Sequence, residues 1–454
     1  MINIKIDSRK IKTGDTFVAI KGNTIDGHEH IENAIQNGAT KIVIEKNINI
    51  NCNIEKIIVN NTNEWLTNYI ANNYSQIVNE MNIIGITGTN GKTTTAYLTY
   101  QMLNKLNSKT AYIGTIGFYI PNEEIIELPN TTPNILDLYE LLLYAKEKKC
   151  ENVVMEVSSH ALDMKRVYGI NFTISAFTNL TQDHLDYHKN MENYLESKKL
   201  ILNQTKNVFI ANNDDTYSKE FIFHNKKTLG INGKEYKILS YSDKDDKTLI
   251  NFTNDNINYQ VETNLKSNFN VYNYMTALAI IHNLNHKIED IINITKHIYP
   301  PKGRCEQIKV KNGIAVIDYA HTPDAVEKII KAFSDNKKGK IITLIGCGGD
   351  RDPKKRPIMG NIASTYSDYV IFTSDNPRTE DPNAIMNDIL AGVNKDNYEI
   401  LLDRKLAIHK SLDLIEENDI VLILGKGHED YQIIGREKIH LDDSEEVKKY
   451  INNL

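Results

Sequence analysis

A glycine-rich segment near residue 90 has the composition of a phosphate-binding loop. Residues 88–94 read Gly-Thr-Asn-Gly-Lys-Thr-Thr and follow the apolar run 83–87. Glycines let backbone N–H groups point at phosphate oxygens, and a helix beginning after the loop adds positive potential. Lys92 would neutralise β- and γ-phosphate charge, and the Thr93 hydroxyl would meet Mg²⁺. Because Ile86 stands where the strict GxxxxGK[ST] pattern has its first glycine, the alternative is a structural turn.

Acidic and histidine side chains follow two further apolar runs. Glu156 lies near the end of the run 152–157, where a carboxylate could bind Mg²⁺, an ion that prefers oxygen ligands. The alternative for Glu156 is a solvated carboxylate at a sheet edge. The segment 178–188 follows the run 173–177 and holds two His and two Asp within six residues. It predicts a metal or phosphate neighbourhood, with a helix-capping role for Asp183 as the alternative.

Three segments in the last third of the chain combine glycine, arginine and acids after apolar runs. They are residues 346–352, 375–382 and 425–430. If they meet at one sheet edge, Arg351 and Arg378 would face Asp375 and Glu429 and form a mixed-charge set. A zwitterionic ligand suits that mixture, because its carboxylate would bind arginine and its ammonium would bind the acids. The alternative is three ordinary turns.

The elements that position these segments predict an α/β protein of three domains. Residues 1–82 contain short strand-like runs and predict a small α/β domain. Residues 83–300 alternate apolar runs with helical stretches, which predicts a parallel-sheet ATPase domain of phosphate-loop type, with an antiparallel excursion at 235–265. Residues 301–454 repeat the pattern as a Rossmann-like domain. A hinge is predicted at 300–303, where two prolines and a glycine break any helix.

Composition excludes several classes of function. The chain has 454 residues and a net charge of −6, so no overall basic field favours nucleic acid or an anionic membrane. Its four cysteines are scattered, which argues against a disulfide framework or a cysteine-based zinc site. No apolar run approaches the ~18–20 residues that span a bilayer, and no signal peptide opens the chain. These features predict a cytoplasmic protein.

Seven motifs together resemble those of the Mur ligases of bacterial peptidoglycan synthesis, over essentially the full length of the chain. They lie at 88–94, 156–160, 179–188, 270–273, 303–306, 318–323 and 375–382. The resemblance implies a monomeric, ATP-dependent amide ligase that activates UDP-N-acetylmuramoyl-L-alanyl-D-glutamate as an acyl phosphate. Meso-diaminopimelate would then be joined to it, with Mg²⁺ as cofactor.

The resemblance also implies roles for individual residues. The ATP-binding set would be Gly88, Thr89, Asn90, Gly91, Lys92, Thr93, Thr94, Asn273 (adenine), Arg304 (phosphates) and Asp318 (ribose). The uridine and muramoyl-dipeptide set would be Ser8, Asn23, Thr24, Ile25, Thr131, Thr132, Ser158 and Arg166. The diaminopimelate set would be Arg351, Asp375, Asn376, Pro377, Arg378, Gly425 and Glu429. Lys92, Glu156, His184 and Lys198 would be catalytic, and Thr93, Glu156, His184 and carbamylated Lys198 would hold metal.

Two of these implications depend on single residues. On composition alone, Lys198 is a solvated lysine, and only the resemblance makes it a carbamylated one. Arg378 stands in an Asp-Asn-Pro-Arg segment associated with diaminopimelate, whose second carboxylate it could bind in a bidentate manner. Lysine as the added amino acid, a folylpolyglutamate synthase-like ligase and a phosphate-loop ATPase without ligation remain the alternatives.

Overall fold

A computed structural model describes residues 2–22, 25–49, 52–244, 247–334 and 337–453. The described part of the chain forms three main sheets in chain order. None of the helices in these ranges combines the length and the apolar character needed to cross a bilayer.

The first sheet has four parallel strands in the order β1-β2-β3-β4. Its elements are β1 (Ile4–Lys5), β2 (Thr16–Val18), α1 (Ile31–Gln36), β3 (Lys41–Ile44), β4 (Glu55–Ile58) and α2 (Thr62–Val78). Apolar side chains of β1, β2 and α2 share one buried cluster with the second sheet. An ion pair between Lys5 and Glu140, at 2.6 Å, adds a polar contact across that junction.

The second sheet has ten strands in the order β14-β13-β12-β11-β10-β9-β5-β8-β6-β7. Its strands are β5 (Asn82–Thr87), β6 (Thr110–Gly114), β7 (Gly117–Tyr119), β8 (Asn152–Glu156), β9 (Phe172–Phe177), β10 (Thr205–Asn212), β11 (Lys226–Gly230), β12 (Tyr236–Lys244), β13 (Lys247–Asn254) and β14 (Ile257–Thr263). The helices are α3 (Lys92–Lys105), α4 (Ile135–Glu147), α5 (Ser159–Asp163), α6 (Leu185–His188), α7 (Met191–Lys199), α8 (Asn268–His282) and α9 (Ile288–Ile294). The strands from β6 to β12 in this order pair in parallel, and β13, β14 and β7 pair antiparallel.

The third sheet has six strands in the order β15-β16-β20-β17-β18-β19, and only β15 is antiparallel to its neighbour. Its strands are β15 (Glu306–Val310), β16 (Gly313–Asp318), β17 (Ile341–Ile345), β18 (Tyr369–Phe372), β19 (Tyr398–Ile400) and β20 (Ile420–Leu424). The helices are α10 (Pro323–Ser334), α11 (Lys355–Tyr366), α12 (Pro382–Leu390), α13 (Arg404–Asp413) and α14 (Asp443–Asn452). A separate hairpin, β21 (Tyr431–Ile434) and β22 (Glu437–His440), follows β20.

The predicted α/β class with parallel sheets is confirmed, as is the antiparallel excursion near 235–265. Apolar clusters cover both faces of the second and third sheets, which is why their central strands read as continuous apolar runs. In open sheets of this kind, ligands bind outside the carboxyl ends of the strands. The sequence segments that carry chemistry begin at those ends.

A fully buried ion pair ties α13 to α14 behind the third sheet. Nε and Nη2 of Arg404 donate to both carboxylate oxygens of Asp443, at 2.8 and 2.7 Å, and both side chains are 0% exposed. We expect Arg404→Met to lower the free energy of unfolding by about 3–5 kcal/mol, because it leaves Asp443 buried and unpaired. Lys340→Met, which breaks an exposed pair with Glu416, is the control and should cost less than about 1 kcal/mol. Equal losses in denaturant unfolding would contradict this expectation.

Candidate active site

The phosphate-loop segment connects β5 to α3 with the backbone geometry such a loop needs. Gly88 and Gly91 have φ of 149° and 85°, in the region that favours glycine. A Cβ at Gly91 would lie 2.4 Å from Oδ1 of Asn273, so the loop also packs too closely for a side chain there. The backbone N–H of Asn90 donates to Oδ1 of Asn179 at 2.9 Å. Strand, loop and helix therefore occur in the predicted order.

Glu156 accepts four hydrogen bonds and is 0% exposed. Its Oε1 accepts from the Tyr112 hydroxyl and the Thr115 N–H, at 2.7 and 2.8 Å. Its Oε2 accepts from the hydroxyls of Thr93 and Thr115, at 2.9 and 3.2 Å. The interpretation of Glu156 as a solvated edge carboxylate is wrong. Its Oε2 and the Thr93 hydroxyl together present adjacent hard oxygen ligands beside the loop.

Two lysines converge on the carbonyl of Gly88. Nζ of Lys92 donates to the carbonyls of Gly88 and Thr89, and Nζ of Lys198 donates to that of Gly88, all at 2.8 Å. Lys198 is 1% exposed, so the interpretation of this residue as solvated is wrong. Burial lowers the pKa of both ammonium groups, and the charge of Lys92 lowers the pKa of Lys198 further. Both effects shift the protonation equilibrium of Lys198 toward the neutral amine.

His184 lies at the start of α6 with φ of 54°, a conformation that non-glycine residues rarely adopt. Its Nε2 is 3.4 Å from Asp183, and its ring packs edge-on against His160. Desolvation in the cleft lowers the pKa of His184 to about 4, against the opposing charge of Asp183. A neutral imidazole is the form that binds metal. Asp183 does not occupy the N-cap position of α6, since that position belongs to His184.

The donor set beside the loop fits Mg²⁺ only together with phosphate oxygens. Within the described ranges, no three His, Cys, Asp or Glu side chains cluster as a complete metal site. The oxygens of Glu156 and Thr93 are nonetheless adjacent and of the hard type that Mg²⁺ prefers. Mg²⁺ usually keeps several waters and takes only one or two carboxylates besides substrate phosphates, so a sparse protein set agrees with this ion.

A cavity of about 480 Å³ opens in front of the loop. It is lined by most of the predicted nucleotide residues: Thr89, Asn90, Gly91, Lys92, Thr93, Thr94, Asn273, Arg304 and Asp318. Nη2 of Arg304 donates to the Thr93 hydroxyl at 3.1 Å, and its guanidinium lies 4.4 Å from the Tyr319 ring centre. Asp318 accepts from the N–H groups of Cys305 and Ala320, and burial raises its pKa. Both the second and the third sheet therefore contribute to this cavity.

A second cavity, of about 980 Å³, lies next to the first. It is lined by the predicted dipeptide residues Thr131, Thr132, Ser158 and Arg166 and by Arg351, Asp375, Asn376, Arg378, Gly425 and Glu429. The two cavities share the lining residues Thr115, Thr131, Asp183, His184, Tyr319 and His321. The three strand-end segments of the third sheet thus meet in this second cavity, called the chamber below. The chamber continues into the cavity at the phosphate loop.

Asn376 connects the two acids of this chamber. Its N–H and Nδ2 donate to Oδ1 of Asp375, at 2.7 and 3.1 Å, and Nδ2 also donates to Oε2 of Glu429 at 2.8 Å. Burial raises the pKa of Glu429, and the nearby charge of Asp375 raises it further. Pro377 does not line the cavity; its carbonyl packs where a Cβ at Gly349 would lie.

Arg378 is held by its backbone against the hairpin β21–β22. Its N–H donates to the Ile433 carbonyl at 3.0 Å, and its own carbonyl accepts from the Gly435 N–H at 2.7 Å. These bonds stabilise a φ of 52°, which is costly for arginine and typical of functional positions. Nη1 of Arg378 donates to the Gly349 carbonyl at 2.7 Å. Among the described residues, no carboxylate forms an ion pair with Arg378, so its guanidinium can still bind an anion.

The predicted uridine residues lie apart from these two cavities. Ser8 is buried at the first 3₁₀ turn and its carbonyl accepts from Nδ2 of Asn37 at 2.9 Å, and Ile25 is 62% exposed. Neither residue lines either cavity. Asn23 and Thr24 fall outside the described residues.

Several residues at the junction of the cavities had no recognisable sequence signal. Thr115 and Tyr112, which hold Glu156, lie in β6 and the turn after it, and no motif marks them. Tyr319 and His321 lie just after β16, within the segment 318–323. For these two residues, the position after a strand is a feature of the sequence by which they could have been found. Nδ1 of His321 lies 2.8 Å from the Tyr319 carbonyl, and burial lowers the pKa of His321 to about 4.

The phosphate-loop segment opens into a second chamber suited to a charged small molecule, and two α/β sheets supply the walls. This arrangement is typical of nucleotide-dependent ligases. Three family models match successive parts of the chain: "Mur ligase family, catalytic domain" over residues 2–80, "Mur ligase middle domain" over 86–281 and "Mur ligase, glutamate ligase domain" over 303–427. The chain belongs to the Mur ligase family, and it is an ATP-dependent ligase.

Individual relatives agree over nearly the whole chain. A UDP-N-acetylmuramoyl-L-alanyl-D-glutamate–2,6-diaminopimelate ligase of Bacillus cereus is 40% identical, covering 99% of this chain and 94% of the relative. One of the same description from Fusobacterium nucleatum is 41% identical, covering 99% and 93%. A solved structure so described superimposes with a TM-score of 0.68 at 30% identity, covering 100% of this chain and 95% of the other.

Proposed function

We propose that this ligase joins meso-diaminopimelate to UDP-N-acetylmuramoyl-L-alanyl-D-glutamate, with cleavage of ATP to ADP and phosphate, in peptidoglycan precursor synthesis. The observation that carries the proposal is the mixed-charge chamber of Arg378, Asp375 and Glu429, which continues into the phosphate-loop cavity. Relatives near 40% identity carry the name of that reaction over their full length.

The proposal assigns the predicted site residues to three ligands. Residues 1–82, including Ser8 and residues 23–25, would hold the uridine end of the nucleotide sugar. Residues 83–300 would bind ATP at the loop and the dipeptide at Thr131, Thr132, Ser158 and Arg166. Residues 301–454 would bind the amino acid at the six predicted positions that line the chamber, with Pro377 in the same segment, and would close by a hinge at 300–303. We further propose a monomer that works in the cytoplasm, where ATP and nucleotide-sugar precursors are available.

The first chemical step transfers the γ-phosphoryl group of ATP to the γ-carboxylate of the D-glutamyl residue. Lys92 and Arg304 flank the loop and would offset the charge that develops on the transferred group. Mg²⁺, held by Thr93, Glu156, His184 and the carbamate of Lys198, would supply further charge neutralisation on the phosphates. The products of this step are ADP and an acyl phosphate.

The second step joins the amine of diaminopimelate to the acyl carbon. The nitrogen forms the amide bond, phosphate leaves with the electrons of the broken C–O bond, and the amine loses a proton. Residues shared by both cavities, including Thr115 and His321, enclose the place where the two reactants would meet. Enclosure matters because water would otherwise hydrolyse the acyl phosphate.

Carbamylation of Lys198 is part of the proposal and has a physical basis. A neutral amine attacks CO₂ to form the N–C bond and releases one proton, which leaves a carbamate anion. Burial and the charge of Lys92 favour the neutral amine at Lys198. The carbamate anion would stand beside the ammonium group of Lys92, and the two opposite charges would attract each other.

The dependence of phosphate release on an amine acceptor tests the proposal. The purified chain should release phosphate from ATP only when the dipeptide nucleotide and diaminopimelate are both present, and the tripeptide nucleotide should form in equal amount. Steady ATP hydrolysis without an acceptor would indicate an ATPase without ligation. Phosphate release with a folate substrate and glutamate would indicate a folylpolyglutamate synthase-like ligase.

A further inference from the structure

A fully buried ammonium group lies directly beneath the acids of the amino-acid chamber. Lys426 follows β20 and is 0% exposed. Its Nζ donates to the carbonyl of Tyr431 and lies 3.6 Å from Oε2 of Glu429. Gly425, Glu429 and Tyr431 line the chamber, and Lys426 does not. Lys426 is therefore behind the wall, where it can influence a ligand only through its neighbours.

The neighbours of Lys426 include two largely buried acids, Asp375 and Glu429. Asp375 is 8% exposed and the side chain of Glu429 is 14% exposed, and Asn376 bridges the two. Burial and the charge of Asp375 raise the pKa of Glu429, whereas Lys426 lowers it. Burial also lowers the pKa of Lys426, and Asp375 and Glu429 counter that effect.

The other groups around Glu429 do not replace Lys426. The Tyr319 hydroxyl donates to Oε1 of Glu429 at 3.3 Å but carries no charge, since burial raises its pKa. The guanidinium of Arg404 contributes charge from behind the sheet, but it is already bound by Asp443. Tyr431, whose pKa burial also raises, is neutral as well. Among the residues that the structure describes, Lys426 is thus the cation that forms an ion pair with Glu429.

We infer that Lys426 is a positioning residue that keeps Glu429 ionised, so that the chamber can bind an ammonium group of the incoming amino acid. With Lys426 charged, the ionised Asp375 and Glu429 leave one negative charge uncompensated, which matches one ammonium. Without Lys426, Glu429 would take up a proton more readily, because it is buried and Asn376 bridges it to the carboxylate of Asp375. The inference rests on the proposed function and gives a specific cause for the affinity of the chamber for the incoming amino acid.

The pH dependence of kcat/KM for diaminopimelate tests the inference. Protonation of Glu429 should give the profile an acid limb, that is, a fall of kcat/KM as the pH drops below the pKa of Glu429. Because an opposite charge within about 4–6 Å typically shifts a carboxyl pKa by 1–3 units, Lys426→Met should move this limb toward higher pH by roughly one unit or more. At pH values below the limb of the unchanged protein, KM for diaminopimelate should be higher in the variant by about tenfold for each unit that the limb moves, with recovery at higher pH, while KM for ATP stays unchanged.

Controls separate this role from a merely structural one. Lys340→Met removes an exposed lysine at the opposite end of the same sheet and should leave the acid limb in place. Lys426→Arg should hold the limb near its original pH, and Lys426→Gln should move it, which provides the same comparison if the Met variant does not fold. A uniform loss at every pH with an unmoved limb would overturn the inference. If the unchanged protein needs no amino acid for phosphate release, the proposed function itself has failed.

Discussion

Lys198→Ala should lower kcat by roughly 100- to 1,000-fold, the size typical of removing one buried electrostatic contributor to a transition state. The reason is the loss of the carbamate proposed to hold metal next to the phosphate loop. The Lys198 amine is 1% exposed and is bound to the Gly88 carbonyl, so a single substitution removes it from the middle of the site. Phosphate release under saturating substrates measures the effect.

The neighbouring lysine provides a matched control for Lys198. Lys199 is on the same helix, but its Nζ binds Glu196 at the surface. Lys199→Ala should therefore retain full activity. The unchanged protein should also lose activity in CO₂-depleted buffer and regain it when bicarbonate is added. Full activity of Lys198→Ala, or an unmodified Lys198 in an active metal-bound crystal, would contradict the carbamate.

Arg378→Ala should raise KM for diaminopimelate by about 10- to 100-fold and leave KM for ATP unchanged. A bidentate, charge-assisted contact with the distal carboxylate is the interaction lost. Arg378→Lys keeps the charge but not the planar fork, so it should recover only part of the affinity. Initial rates with varied diaminopimelate and saturating ATP measure both variants.

The exposed Arg436, in the turn of the neighbouring hairpin, is the control for Arg378. Arg436→Ala should leave both KM values as they are. An unchanged KM for diaminopimelate in Arg378→Ala would refute the proposed role of this residue. A parallel rise in both KM values would instead point to damage at the junction of the two cavities.

The fold and the phosphate loop could be predicted because local sequence determines them. The apolar runs 83–87, 152–157 and 173–177 correspond to β5, β8 and β9 within one residue, and polar segments follow them. Since parallel strands end at a common sheet edge, the segments 346–352, 375–382 and 425–430 are expected to lie close together. Residues of all three segments line one chamber.

The surroundings of individual side chains could not be predicted in the same way, because they depend on contacts between distant segments. Lys198 is in a polar helical stretch that is typical of solvent exposure, but folding places it against residue 88, 110 positions earlier in the chain. Thr115 acquires its importance from Glu156, 41 residues later. Likewise, nothing near Arg378 in the sequence indicates that the hairpin β21–β22 fixes its backbone.

The choice of amino acid is the most direct test of the proposed function. Tripeptide-nucleotide formation should be measured with diaminopimelate, lysine and ornithine, each at equal concentration with ATP and the dipeptide nucleotide. We expect kcat/KM for diaminopimelate to exceed that for lysine by about 100-fold or more, because lysine would bring an ammonium to Arg378 where diaminopimelate brings a carboxylate. Equal or better turnover with lysine would contradict the diaminopimelate assignment.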